Sequence, residues 1–237
     1  MNIRRVTAWS GPAACLAVIL CFPAAHAGVV IDNTRVIYAS DAREVTVRLT
    51  NLGKRAVLVQ SWLDNGDEMA TPDKVVTPFV LTPPINRVEP GKGQSLRISA
   101  ASASALRQDR ESLWWLNVLE IPARPDNRVE QQNYLQLAVR TRIKFFYRPA
   151  GLRQGPTEAV KSLTWTQGNS GLTVNNPSPF HISLTSVAIA GKKVAIEMVS
   201  PMDRRTYSHA RAPRGSTITA TWVDDYGAYR EQTFTVN

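Results

Sequence analysis

Hydrophobic and polar residues alternate singly over many short stretches of this chain. Val45, Val47 and Leu49 are separated by Thr46 and Arg48, after which Asn51-Leu52-Gly53-Lys54 reads as a turn. Val57 and Val59 lead into Gln60-Ser61-Trp62-Leu63-Asp64 before Asn65-Gly66, and Leu96 and Ile98 follow Pro90-Gly91. Strict period-two alternation is the signature of a half-buried strand. Many such strands at intervals of about 8–12 residues, punctuated by turn dipeptides, predict an all-β sandwich. No stretch sustains the 3.6-residue apolar period of a helix. Trp62 fits the inward tryptophan of an immunoglobulin-like third strand, and equally a tryptophan in any β core.

The longest alternating stretch runs from Tyr134 to Pro149. Leu135, Leu137, Val139, Thr141, Ile143, Phe145 and Tyr147 fall on one predicted face, and Gln136, Arg140, Arg142, Lys144 and Arg148 on the other. One strand over this whole stretch would exceed the usual length of roughly 3–10 residues. The segment 148–160 then interrupts the pattern with two prolines and two glycines, a boundary signal. Alternation resumes at Leu163 and Trp165 and closes with Ile218, Ala220 and Trp222. The pattern predicts two sandwiches, over 28–150 and 151–237.

The beginning of the chain changes the compartment. Two arginines at positions 4 and 5 precede an apolar run from Ala13 to Phe22, then Pro23 and the small-residue triplet Ala25-His26-Ala27. That order reads as a secretory signal over 1–27, cleaved after Ala27. The run is too short to span a bilayer, which needs about 20 residues. Both cysteines, Cys15 and Cys21, leave with the signal. Disulfides, zinc–thiolate sites and cysteine nucleophiles are thereby excluded from the mature chain, which must be held by its hydrophobic cores. Once Arg4 and Arg5 are gone, 26 Lys and Arg face 19 Asp and Glu, a formal charge of +7. These cations are dispersed, so neither nucleic acid nor membrane insertion is expected. His181 and His209 stand in no metal-ligand spacing, and no nucleophile elbow, Walker loop or dinucleotide fingerprint occurs. The adjacent Asp224 and Asp225 would point to opposite faces of one strand. An enzyme, a metal site and a cofactor are not expected.

Several segments, in order, carry a resemblance: "DNTRVIY" (32–38), "TPPINRVEPGKGQSLRI" (82–98), "QDRESLWWLNVLEIP" (108–122) and "RIKFFYRP" (142–149), then "NNPSPFHISL" (175–184), "MVSP" (198–201) and "DDYG" (224–227). Together they resemble the periplasmic pilus-assembly chaperones of the chaperone–usher pathway, the PapD-like family. The resemblance implies two immunoglobulin-like sandwiches set at an angle with a cleft between them. It also implies an ATP-independent chaperone that completes the fold of pilus subunits by donor-strand complementation and delivers them to an outer-membrane usher. A long apolar edge strand suits that task, since an open edge is a template for another chain.

Carried over residue by residue, the resemblance makes Leu135, Leu137 and Val139 the donated side chains, with Ile143 and Phe145 nearer the protein's own core. Arg35 and Lys144 match the family's pair of cations that anchor the subunit's C-terminal carboxylate, although a lone strand lysine is more often simply solvated. Glu111, Arg148 and Asp225 match a salt-bridge network joining the domains, with Asp224 the other possible partner. The twelve residues between Pro122 and Leu135 place the chain in the short-loop subclass. Reversible self-association would protect an uncomplexed edge. The alternative is an exported immunoglobulin-like structural or adhesive fimbrial subunit, but such subunits usually carry a disulfide.

Overall fold

The structure is a computed structural model and describes residues 28–102, 105–123 and 136–237. The proposed signal segment, the loop 124–134 and Leu135 lie outside the described residues. The first strands are β1 (Val29–Ile31), β2 (Arg35–Ala39), β3 (Val45–Asn51), β4 (Val57–Asp64), β5 (Phe79–Thr82), β6 (Ile85–Val88), β7 (Gly93–Ala100), β8 (Ser112–Pro122) and β9 (Val139–Arg148). They form two sheets, in the orders β1-β3-β7-β5 and β2-β9-β8-β4-β6. After helix α1 (Pro156–Lys161) come β10 (Thr164–Gly168), β11 (Gly171–Asn176), β12 (Leu184–Ile189), β13 (Lys192–Ala195), β14 (Asp203–Tyr207), β15 (Thr217–Val223) and β16 (Tyr229–Thr235). These pair as β10-β11-β14 and β13-β12-β15-β16.

Each pair of sheets encloses its own core. Val47, Leu49, Leu96, Ile98, Leu116 and Phe145 are buried in the first, and Trp165, Leu172, Val174, Val187, Ile218 and Ala220 in the second. The two clusters share no residue, so the chain folds as two β-sandwich domains. The cause is the alternation itself, which gives every strand one apolar face to bury. Asn51, fully buried at the end of β3, settles the turn that follows: its amide donates to the Arg55 and Val88 carbonyls and its oxygen accepts the Gly53 N–H.

Two local expectations fail. Trp62 does not enter the first core. Val57, Val59 and Leu63 take the inward face of β4, and a strand turns every second residue the other way. Trp62 therefore lies on the outer face, where the Arg140 guanidinium covers its ring 4.9 Å from the centroid. The boundary segment 148–160, where no helical period was read, also holds most of a helix, α1. Pro156 starts it where a missing N–H costs nothing, and Ala159 and Val160 bury themselves in the second core.

Candidate functional site

Among the described residues, the alternating segment forms a strand of ten residues, Val139–Arg148. β9 begins at Val139, opposite Glu120 near the end of β8, and no described strand pairs with residues before it. Without a hydrogen-bonded neighbour an extended segment is not a strand, which is why Leu137 precedes β9. Leu137 and Val139 are 64% and 56% exposed. Further along the same face Ile143 packs against the first core, and Phe145 and Tyr147 are buried in it. One face of β9 thus passes from bare to buried along its length.

The two edges of β9 differ. β8 pairs with it antiparallel from Val139 to Tyr147. On the other side β2 pairs parallel, but only from Arg35↔Lys144 to Ala39↔Arg148. Among the described residues, 139–143 therefore has an open edge. The opening ends where Arg35 stands opposite Lys144.

Arg35 reaches the second domain, and Lys144 stands opposite it on β9. Arg35 Nη1 donates to the Ser183 hydroxyl (3.2 Å) and the Val223 carbonyl (3.0 Å), both from the second domain, while its Nε is buried with no partner. Burial lowers the Arg35 pKa, opposed by the charges of Asp225 and Asp224 and by Tyr229. Burial and then the neighbouring Arg35 charge lower that of Lys144. Lys144 makes no hydrogen bond or ion pair among the described residues, and its Nζ lies 5.9 Å from the Trp115 ring centroid. Two like charges held together and partly desolvated are stabilised by an anion placed between them.

Next to this pair, Glu111, Arg148 and Asp225 meet. The Arg148 guanidinium donates from Nε to Glu111 (2.6 Å) and from Nη1 and Nη2 to the two oxygens of Asp225 (2.6 and 2.9 Å). Glu111 immediately precedes β8 in the first domain and Asp225 lies in the turn after β15 in the second, so one fork ties the domains. The second oxygen of Glu111 accepts the His181 N–H at 2.8 Å. These hydrogen bonds and charges outweigh burial and raise the Arg148 pKa. Asp224 does not join the network. It closes the turn by accepting the Tyr226 and Ala228 N–H groups and pairs with Arg230. That turn needs Gly227, whose φ of 85° suits glycine.

A second polar cluster escapes sequence reasoning. Asp64, at the end of β4, is inaccessible to solvent. Arg142 grips its oxygens at 2.5 and 3.2 Å, and the Asn117 amide (2.7 Å) and the Gly66 N–H (2.7 Å) donate to it. Burial pushes the Asp64 carboxyl up, but these bonds and the Arg142 charge outweigh it and hold the group below its ordinary value. Arg140 donates to the Asn117 oxygen at 2.8 Å, and Arg142 stacks 4.3 Å over Trp115. The start of β9 is thus fastened to β4 and β8 through its outer face. Only the register Trp62↔Asn117↔Arg142 brings these side chains together, and no sequence motif encodes it. Among the described residues no group of three His, Cys, Asp or Glu side chains is placed to hold a metal ion, and no helix is long and apolar enough to cross a membrane.

Two family models match the chain. The "Pili and flagellar-assembly chaperone, PapD N-terminal domain" covers residues 28–153 and the "Pili assembly chaperone PapD, C-terminal domain" covers 158–234. Chaperone protein MrkB of Klebsiella pneumoniae is 43% identical over 222 residues, spanning 90% of this chain and 95% of MrkB. The probable fimbrial chaperone YadV of Escherichia coli is 43% identical over 199 residues, spanning 80% of this chain and 81% of YadV. The YadV crystal structure superimposes with a TM-score of 0.73 at 36% identity, covering 88% of this chain and 100% of that one. The solved structure of the Salmonella enterica SafA pilin in complex with the SafB chaperone gives a TM-score of 0.77 at 26% identity over 88% of this chain and 96% of the other. With both domains matched and a relative 43% identical across nine-tenths of the chain, this protein belongs to the PapD family of pilus-assembly chaperones.

Proposed function

We propose that this chaperone binds pilus subunits by lending them the open edge of β9, holding each subunit's C-terminal carboxylate between Arg35 and Lys144. The observation that carries this reading is the pair of facing, partly buried cations at the inner end of an unpaired strand edge. A carboxylate there would relieve their repulsion and fix the register of pairing. Register decides which side chains are donated, because a slip of one residue turns each of them to the other face. Leu135, Leu137 and Val139 then fill the incomplete core of the subunit. The SafA–SafB complex supports the class of partner, since that relative holds a pilin. Glu111, Arg148 and Asp225 keep the two domains, with a boundary near residues 150 and 151, in the relation that the cations require. The protein acts in the periplasm after cleavage behind Ala27, and passes its subunit to an outer-membrane usher.

The test is co-expression with a pilin-type subunit and recovery of soluble complex. Arg35→Ala and Lys144→Ala are each expected to weaken capture by about 30-fold, the equivalent of about 2 kcal/mol for a lost charge partner. Val139→Asp, at an exposed position, is expected to leave urea stability within about 0.5 kcal/mol while also weakening capture at least tenfold. Cation variants that stay folded by circular dichroism and capture subunits normally would overturn the anchoring scheme.

The uncomplexed edge has a consequence of its own. Free protein is expected to self-associate reversibly through residues 139–143. Light scattering on dilution reads this, and added pilin should abolish it. Strict monomers at every concentration would dismiss the idea.

A further inference from the structure

Glu120 is a half-buried carboxylate on β8 that the scheme above does not use. Its Oε2 accepts the N–H of Val29, the first residue of β1, at 2.8 Å. Gly28 lies against the same carboxylate: a Cβ on Gly28 would overlap both of its oxygens. The backbone nitrogen of Gly28 is one bond, about 1.46 Å, from the Cα so placed. Gly28 is also held from the other side, its carbonyl accepting the Leu52 N–H at 2.9 Å. No described donor reaches Oε1 of Glu120 within hydrogen-bonding distance.

We propose that Glu120 is the docking site for the protein's own α-ammonium group, formed when the leader is removed. This rests on the reading that cleavage falls after Ala27. Before cleavage the Gly28 nitrogen is a neutral amide with at most one proton to donate. After cleavage it is a cation with three, one bond from a residue packed on a carboxylate. A charge-assisted hydrogen bond is about twice as strong as a neutral one, and capture of a terminal amine by a fixed acceptor is an established mode of recognition. Processing therefore completes the docking of β1 onto the first sandwich. It also explains a glycine at this position without appeal to backbone strain, since any larger residue would push the carboxylate off the Val29 N–H.

The experiment uses the full protein starting at Gly28, a version retaining Ala27 as one extra residue, and Glu120→Gln in each. Glutamine keeps an acceptor for Val29 while removing the charge. Glu120→Gln is expected to raise the unfolding equilibrium constant about fivefold in the protein starting at Gly28 and by much less in the extended one, a coupling suited to a half-buried ion pair. Carbodiimide treatment of the unaltered protein should join the Gly28 amine to the Glu120 carboxyl, detected by peptide mass spectrometry. Equal effects of Glu120→Gln in both backgrounds, absence of that cross-link, or a mature terminus other than Gly28 would each overturn the proposal. Pilin capture measured on the same four proteins separates this from the chaperone scheme, which survives if capture is normal while the coupling is absent.

Discussion

Replacing Arg148 with alanine is expected to destabilise the protein by about 3–5 kcal/mol, more than any surface substitution on it. The size comes from what is left behind. The side chain of Glu111 is 1% exposed, and without the guanidinium it becomes a buried charge held by the His181 N–H, with that residue's Nδ1 3.6 Å away. Asp225 loses a two-point grip at the same time. Arg148→Lys keeps a charge but not the planar fork that reaches both carboxylates, and is expected to fall between wild type and alanine. Glu111→Gln, which removes the stranded charge itself, should cost less than Arg148→Ala. Urea unfolding of the three variants decides it. A loss below about 1 kcal/mol for Arg148→Ala would mean that the network contributes no more than an exposed ion pair does.

Asp64 carries the second large effect. Asp64→Ala deprives Arg142 of its bidentate partner and leaves the Asn117 amide short of an acceptor in a site closed to water, an expected loss of about 3 kcal/mol. The charge also sets a pH dependence. The Asp64 pKa is depressed in the folded protein, so its contribution is fully present above the unfolded carboxylate value of about 3.9 and is lost as pH falls through the folded value. Wild type should therefore exceed Asp64→Asn in stability by a constant margin between about pH 5 and 8, and the margin should close below about pH 4. A margin that stays level down to pH 2 would remove Asp64 from the account. Because Arg140 and Arg142 both lie in the open part of β9, the same variant should also speed amide hydrogen exchange over residues 139–143.

What the sequence carried plainly was anything written in a single strand. Alternation in β3, β4 and β7 declared the inward faces, and the Pro- and Gly-rich stretch after Arg148 declared the change of core. What it could not carry was anything that depends on which residue of one strand meets which residue of another. Trp62 pointed inward on the strength of its type, yet Val59 and Leu63 already held that face. Arg140 and Arg142 were no more than polar positions on one face until register set them over Trp62, Asp64, Trp115 and Asn117. The length of β9 was overestimated because alternation continues past the point where a neighbouring strand stops. Arg35 and Lys144 were legible only as a motif pair; nothing in the spacing of two residues so far apart indicates that their strands run side by side.

That last separation has a kinetic meaning. The row Arg35↔Lys144 joins strands whose partners lie more than a hundred positions apart along the chain, with β3 through β8 between them. Contacts of such long range form slowly, because a large loop must close before they give any return. Arg35 is moreover held by Ser183 and Val223, so the guanidinium is fixed only once the second sandwich has also formed. A half-folded molecule can therefore present apolar edge but not a finished pair of cations. With Arg35 and Lys144 anchoring the client as proposed above, competence to receive one is expected to come late in the protein's own folding.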